Sequence, residues 1–288
     1  MLLLIASLPK IPVRESQRSS KKERHHLRGG RMEQSYLEAA FSLKGNTSVV
    51  TGCSSGIGFS IAKGLALAGS KIIGLDIAEH HEIKSTIEEF GGTYVGYHVD
   101  LSDREAVVRC WEEILAEHES VDLLVNNAGV QYRRAAAEFP LKEMDRVFEV
   151  NLKTPYVLSQ LAVRHYLDQD KKGKIINLAS LFSTFGGFDV SAYTCTKHGM
   201  VGLTRAFSNE YASRGITVNA IAPGYVETKI TKVIKDDPAK NGPIVQRIPI
   251  ARWAQGDDFI GVAIFLASRL SDYITGAVIP VDGGYTAR

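Results

Sequence analysis

Tyr193 and Lys197 place a phenol and an ammonium four residues apart, in the stretch Tyr193-Thr194-Cys195-Thr196-Lys197. On a helix that spacing puts both on one face, one turn apart. A nearby ammonium favours the phenolate and so lowers the phenol pKa. A phenol tuned in this way can exchange a proton with an alcohol or a ketone near neutral pH. The same pair arises by chance on many surface helices, so its weight depends on what the rest of the chain brings to it.

A short β-branched run at 47–50 leads into Thr51-Gly52-Cys53-Ser54-Ser55-Gly56-Ile57-Gly58, and a helical pattern follows over 59–68. Strand, glycine-rich turn and helix together can cradle a pyrophosphate, because glycines let the backbone approach and the helix start offers free N–H groups. The spacing is G-x-x-x-G-x-G, distinct from the G-x-G-x-x-G dinucleotide fingerprint. The next strand, 71–75, ends in Asp76, eighteen positions after Gly58. An acid there can bond the adenosine ribose hydroxyls and repel the extra phosphate of NADP, which argues for NAD(H).

Further strands are read at 94–99, ending at Asp100, at 121–125, running into Asn126-Asn127-Ala128-Gly129, and at 174–178, 217–221 and 277–281. Helices are read at about 103–119 with Ser102 as a cap, at 141–168 with Asn151 in mid-segment, from Tyr193 to about Arg214, and at 257–267. Pro155 marks a new helical turn or a kink. Residues 225–250 are polar, contain Pro238, Pro243 and Pro249, show no clear period, and read as a lid or substrate loop.

Alternating strands and helices predict an α/β fold: a Rossmann-like, doubly wound parallel sheet with helices on both faces, in a single domain. Ligands bind such sheets beyond the carboxyl ends of the strands. Gly52–Gly58, Asp76, Asp100, Asn126, Ser180 and Pro223-Gly224 all follow strand ends and should meet at one edge.

The chain has 288 residues, 44% hydrophobic and 23% charged, enough for a large core. No stretch approaches the roughly 18 apolar residues of a membrane span. Cys53, Cys110 and Cys195 are too few and scattered for a disulfide framework or a zinc site, which fits a reducing, cytoplasmic setting. Cys53 and Cys195 read as small fillers, with Cys195, beside a lysine, the one that could be reactive. Residues 1–31 carry net +6 and the remainder net −4. The folded body therefore has no basic face for nucleic acid. Residues 1–40 read as a basic, disordered extension ahead of a domain at 41–288, with translation from Met32 or a transit segment as alternatives. Glu15 and Glu23 count against the transit segment.

Taken together, these residues resemble the classical short-chain dehydrogenase/reductase family from about Phe41 to the C-terminus. The motifs stand in the family's order: Thr51–Gly58, Asn126–Gly129, Asn151, Ser180, Tyr193–Lys197 and Pro223-Gly224, with Ser180 thirteen residues before Tyr193. The resemblance implies that Tyr193 is the acid/base, and that Lys197 tunes it and binds the nicotinamide ribose. It implies that Ser180 holds the substrate oxygen and that Asn151 supports a proton-relaying water. It places Gly52, Ser55, Gly56, Ile57 and Gly58, then Asp76, Asp100, Asn126, Val226 and Thr228, together with Tyr193 and Lys197, at the dinucleotide, NAD rather than NADP. A homotetramer is the expected assembly, built on the helices around 151–167 and 193–214 and on the C-terminal segment.

Finer likeness, at 41–45, Arg133-Arg134, 174–180, 248–253 and 281–288, is to dehydrogenases of deoxy sugar acids and gluconates. Such a substrate needs a cation for its carboxylate, and Arg133, just beyond a strand end, can supply a bidentate partner; Ser180 and Tyr193 would hold the reacting oxygen. Lys229, Lys232, Lys235 and Lys240 read either as a positive field over the site or as a solvated face. Other readings are a reductase of 3-oxoacyl thioesters or of secondary-metabolite ketones, and a silent dinucleotide-binding sensor. A third, nucleic-acid or membrane-surface binding through residues 1–31, rests on charge alone.

Overall fold

The aliphatic and β-branched runs of the sequence form seven strands in the computed structural model, which describes residues 36–288. The readings of residues 1–31, and the extension as far as 35, lie outside the described residues. Residues 36–41 are helical and Ala40 is buried.

The strands are β1 (Thr47–Thr51), β2 (Lys71–Asp76), β3 (Tyr94–His98), β4 (Leu123–Asn126), β5 (Gly173–Leu178), β6 (Ile216–Pro223) and β7 (Val278–Val281). They form one parallel sheet in the order β3-β2-β1-β4-β5-β6-β7. The helices are α1 (Gly56–Leu67), α2 (His81–Glu89), α3 (Arg104–Glu117), α4 (Leu141–Phe148), α5 (Thr154–Asp168), α6 (Ser191–Tyr211), α7 (Lys232–Lys235), α8 (Pro238–Arg247) and α9 (Ile260–Ala267).

Strand side chains alternate between faces, and neighbouring residues enter different cores. Val49, Ile73, Leu124 and Ile175 pack with α3, α5 and α6. Val50, Ile72, Val125 and Ile176 pack with α1, α2 and α9. Both faces being covered explains why β6 is buried at every position and reads as a continuous run. The chain winds outward from β1 to β3, then returns to β4 beside β1. The connections after β1 and β4 leave in opposite directions, and a crevice opens between them.

Several local expectations change. Helix α2 was not legible, because Ile83 and Ile87 are its only buried residues. Asp103, not Ser102, caps α3: its side chain accepts from Ala106 N at 3.0 Å, while the Ser102 hydroxyl donates to Asp100 at 2.8 Å. Residues 225–250 are not irregular. Asp237 caps α8 by accepting from Ala239 N, and Pro238 starts that helix, where its missing N–H is harmless. Pro243, inside α8, hid the helical period. Segment 141–168 is helical throughout, but a π turn over Glu149–Lys153 joins α4 to α5, and Pro155 sits in the first turn of α5. No helix among the described residues is long and apolar enough to cross a membrane.

A buried polar chain stitches the central strands to the helices. Asn126 donates to Ser159 Oγ at 3.1 Å and to Asn177 Oδ1 at 2.9 Å; Asn177 in turn donates to Thr204 Oγ1 at 2.9 Å. Asn177→Leu strands the donor of Asn126 and an acceptor lobe of Thr204 in the interior. It should cost about 2–3 kcal/mol of stability, read as a lower denaturant midpoint at unchanged slope.

Candidate active site

At the β1/β4 crevice the glycine turn is folded hard against the loop after β4. Gly52 and Gly56 have φ of +67° and +60°, a conformation that favours glycine. A Cβ on Gly58 would lie 2.1 Å from Gly52 O and 2.2 Å from Asn127 Nδ2. The Asn127 side chain donates to Thr51 O at 2.8 Å and to Gly52 O at 2.9 Å. Thr51 Oγ1 accepts from the backbone N–H of Asn127 and of Ala128, each at 3.0 Å. The start of α1 has no side-chain cap, so its first N–H groups face the crevice without a side-chain partner. Ser54 Oγ is buried with no hydrogen-bond partner. A cradle that tight, with free N–H donors and an orphaned hydroxyl, fits a dinucleotide's pyrophosphate.

Asp76 closes β2 at the same edge; its carboxylate accepts from Ser54 N at 2.9 Å and from Ala78 N at 3.0 Å. Asp100 follows β3, and Ser102 holds its carboxyl below the usual range through a backbone and a side-chain hydrogen bond. Thr231 Oγ1 accepts from Thr228 N and donates to Val226 O, so the loop before α7 is pinned where Thr228 sits over Gly56.

The groups expected to react stand beyond the end of β5 and in the first turns of α6. Ser180 caps a short turn by accepting from Phe182 N at 3.2 Å. Ser183 ties that turn to α6 by donating to Lys197 O at 2.8 Å. Tyr193 and Lys197 share one face of α6, with Nζ 5.5 Å from the centre of the phenol ring. Lys197 is buried, and Nζ donates to Leu178 O at 2.6 Å. Burial lowers its pKa to about 8. Burial raises Tyr193, against the opposing pull of the Ser180 hydroxyl and the Arg133 charge. The downward pull on Tyr193 comes from Ser180 and Arg133, not from Lys197 as expected.

Asn151 lies in the π turn, fully buried. Its side chain accepts from Val130 N at 2.8 Å and donates to Val130 O at 2.9 Å. It meets Lys197 only at Gly129: a Cβ there would be 3.5 Å from Asn151 Oδ1 and 3.9 Å from Lys197 Nζ.

A cavity of about 440 Å³ gathers most of the sequence-predicted residues into its wall. Gly52, Ser55, Gly56, Ile57 and Gly58 line one end with Asp76 and Asp100; Ser180, Tyr193, Lys197 and Arg133 line the other, and Val226 and Thr228 roof it. Asn126 and Asn151 do not line it. Asn126 is turned into the core, with Oδ1 unpartnered, and its neighbour Asn127 faces the cavity instead. Arg134 is also outside the wall, paired with Glu138 at 2.9 Å. Sequence reading missed Phe182, Tyr225 and Arg146, all in the wall, and of the four lysines read as a positive field or a solvated face only Lys229 lines it. Tyr225 carried a usable signal, since it directly follows the Pro223-Gly224 strand end. Cys53 and Cys110 are buried and Cys195 is exposed.

The buried lysine has a cost with a definite pH dependence. Its pKa is about 8 in the fold against roughly 10.4 in an unfolded chain. Between these values the unfolded chain holds more protons, so the parent gains stability as pH rises from 8 and bears the full cost below it. Lys197→Met should melt roughly 2–6 °C higher than the parent at pH 7, with the gap closing by about pH 10.5. A variant that melts lower at both ends would show that the Leu178 bond outweighs burial.

A family model described as enoyl-(acyl carrier protein) reductase matches residues 52–286. The chain is 48% identical over 254 residues to 2-dehydro-3-deoxy-D-gluconate 5-dehydrogenase of Bacillus subtilis, covering 88% of this chain and 99% of that protein. The Escherichia coli enzyme of the same name is 42% identical over 250 residues, covering 87% and 99%. The crystal structure of a gluconate 5-dehydrogenase from Burkholderia cenocepacia in complex with NADP and tartrate superposes with a TM-score of 0.83 at 33% identity, covering 88% and 99%. Two further solved relatives, 40% and 42% identical, also hold NADP. With the parallel sheet, the glycine cradle and the Ser180/Tyr193/Lys197 group at one edge, these matches mean that the chain belongs to the short-chain dehydrogenase/reductase family, as an NAD(P)-dependent enzyme acting on CH–OH groups.

Proposed function

We propose that the enzyme moves a hydride between NAD(H) and a secondary alcohol or ketone carbon of an open-chain deoxy sugar acid. The observation that carries the substrate reading is Arg133. It lines the cavity near enough to Tyr193 to act on its ionisation, and no acidic side chain among the described residues pairs with it. Arg134, its neighbour, is spent on Glu138. A free guanidinium beside the proton donor suits a carboxylate-bearing substrate and gives a neutral ketone or an acyl thioester little to bind. The names of the curated relatives point the same way.

The bound nicotinamide would supply or accept the hydride. Tyr193 gives its proton to the substrate oxygen in the reductive direction and recovers it in the oxidative one. Ser180 shares that oxygen and holds it against Tyr193. The Lys197 ammonium binds the ribose hydroxyls. Asn151 anchors the backbone at Val130, and in this reading the π turn around it steadies a water that connects Lys197 to solvent. Asn126 acts on the dinucleotide from beneath, by fixing the strand end that carries Asn127.

For the adenosine end we favour NAD(H). Asp76 presents a carboxylate where the 2′-phosphate of NADP would carry like charge, and Ile77, Ala78 and Glu79 add no cation. Arg146 is the cation lining that end, and it is engaged with Glu143 at 3.3 Å. The NADP found in relatives makes this the reading most open to direct trial. A homotetramer built on α5, α6 and the C-terminal segment is proposed on family grounds, and the exposed Tyr156 of α5 offers an apolar contact for it.

The test is turnover on a panel of 2-deoxy-D-gluconate, gluconate, a deoxy-keto uronate, an acetoacetyl thioester and a cyclic ketone, with NAD(H) and NADP(H). Sugar acids should be strongly preferred, and Tyr193→Phe should lower turnover by roughly 10²–10⁴-fold while NADH still binds. Preference for the thioester or the cyclic ketone would discard the substrate. NADH binding without turnover on any of the five would favour the silent sensor.

Asp76→Ala should raise kcat/KM for NADP(H) relative to NAD(H) by about tenfold or more, the gain expected from removing ~1.4 kcal/mol of repulsion. An unchanged ratio would refute its role.

A further inference from the structure

Arg247, the last residue of α8, is a second guanidinium without an acidic partner among the described residues, and it is exposed. It rests on aromatic faces instead, 4.4 Å from the centre of Tyr285 and 5.5 Å from that of Phe185. Those two rings are themselves stacked, with centroids 6.0 Å apart. Tyr285 in turn meets the Tyr225 ring at 5.3 Å, and Tyr225 lines the cavity.

Burial and Tyr285 raise the Tyr225 phenol to about 12, and the charges of both Arg133 and Arg247 pull it back down. Of the two arginines only Arg133 lines the cavity, beside Tyr193 and Tyr225. Arg247 lies just outside the wall, behind the Tyr285 ring that meets Tyr225.

The other cations of this region are accounted for. Lys232 is bound to Asp236 at 2.7 Å, Lys240 to Asp237 at 3.0 Å, and Lys235 to Glu227. Lys229 lines the cavity, but its neighbour Thr228 lies over Gly56, at the dinucleotide end. A guanidinium laid flat on two rings is pre-oriented, and its edge N–H groups stay free for a planar, bidentate partner.

We propose that the Tyr225 end of the cavity is a two-arginine carboxylate site, in which Arg247 from α8 and Arg133 from the loop after β4 grip the acid group of the substrate. The assignment rests on the sugar-acid reading and adds to it a specific second residue and a fixed polarity. The acid end points outward toward α8, and the reacting carbon points inward to Tyr193. Because Arg247 lies on α8, outside the cavity wall, an acid in place would draw α8 onto the site. A neutral substrate would lack that contact.

The test uses full-length, NADH-loaded enzyme and two probes with the same four-carbon chain: tartrate, with two carboxylates, and threitol, with none. Affinities are measured by calorimetry for the parent, Arg133→Met, Arg247→Met and Arg247→Lys, with melting curves as a check on folding. The parent should bind tartrate at least tenfold more tightly than threitol. Both methionine variants should lose about tenfold or more in tartrate affinity with threitol and NADH affinities unchanged, and Arg247→Lys should recover only part of the loss. Tartrate affinity unchanged in Arg247→Met would remove Arg247 from the site. A parent indifferent between tartrate and threitol would abolish the site altogether. If Arg247→Met melts well below the parent, the Arg247→Lys variant decides, and parental tartrate affinity there overturns the need for a guanidinium. Absence of sugar-acid turnover alongside intact tartrate selectivity would fail the substrate reading alone and leave the two-arginine site standing.

Discussion

The brace between Thr51 and Asn127 is the interaction on which the site depends. Strands β1 and β4 lie side by side, but their connections leave in opposite directions, and nothing in the sheet's own ladder fixes the distance between the two loops. Asn127 supplies that constraint by donating to two successive carbonyls of the glycine turn, while Thr51 Oγ1 takes two successive N–H groups in return. Gly58 is demanded by the same geometry, since any side chain there would collide with both Gly52 O and the Asn127 amide. Once this junction is set, the start of α1 faces the crevice and the strand-end residues on either side fall into line.

Against that fixed cradle the reactive end is assembled at an energetic disadvantage. An ammonium held at the end of β5 with one strong carbonyl partner is less well solvated than in water, and its pKa of about 8 records the difference. Tyr193 is raised by the same burial and held back by Ser180 and Arg133. Burial thus moves the two groups apart on the pH scale, the ammonium downward and the phenol upward. The fold secures this with the apolar packing of α6, whose Met200, Leu203 and Phe207 dock on the sheet about one, two and three turns beyond the lysine.

Much of this was legible in the residues. The strand ends at Gly52, Asp76, Asp100, Ser180 and Gly224 gave the edge of the sheet where chemistry gathers, because a parallel sheet covered on both faces leaves uninterrupted aliphatic runs that stop at polar residues. What could not be read had physical reasons. Asn126 and Asn127 are adjacent and chemically identical, and only the pleat decides that one points into the core and the other along the crevice. Helix α2 has too narrow an apolar stripe to show a period, and Pro243 disguised α8. Arg133 and Arg134 differ only in that one finds Glu138 within reach. Arg247 offered no sequence signal at all, since its setting is made by Tyr285 and Phe185, each far along the chain.

The π turn at Glu149–Lys153 bears on how this enzyme can be altered. A π turn is an α-helix carrying one more residue than its hydrogen-bond ladder can absorb, so the 141–168 segment holds a fixed surplus of length in its middle. The faces of α4 and α5 are phased to each other through that surplus. Removing a single residue there would return the turn to α geometry and take away the bulge that holds Asn151 against Val130. The segment thus has a forbidden edit at the centre of an otherwise ordinary helix. Redesign of its length belongs instead at the chain ends beyond Leu141 and Asp168, where no such phase is kept.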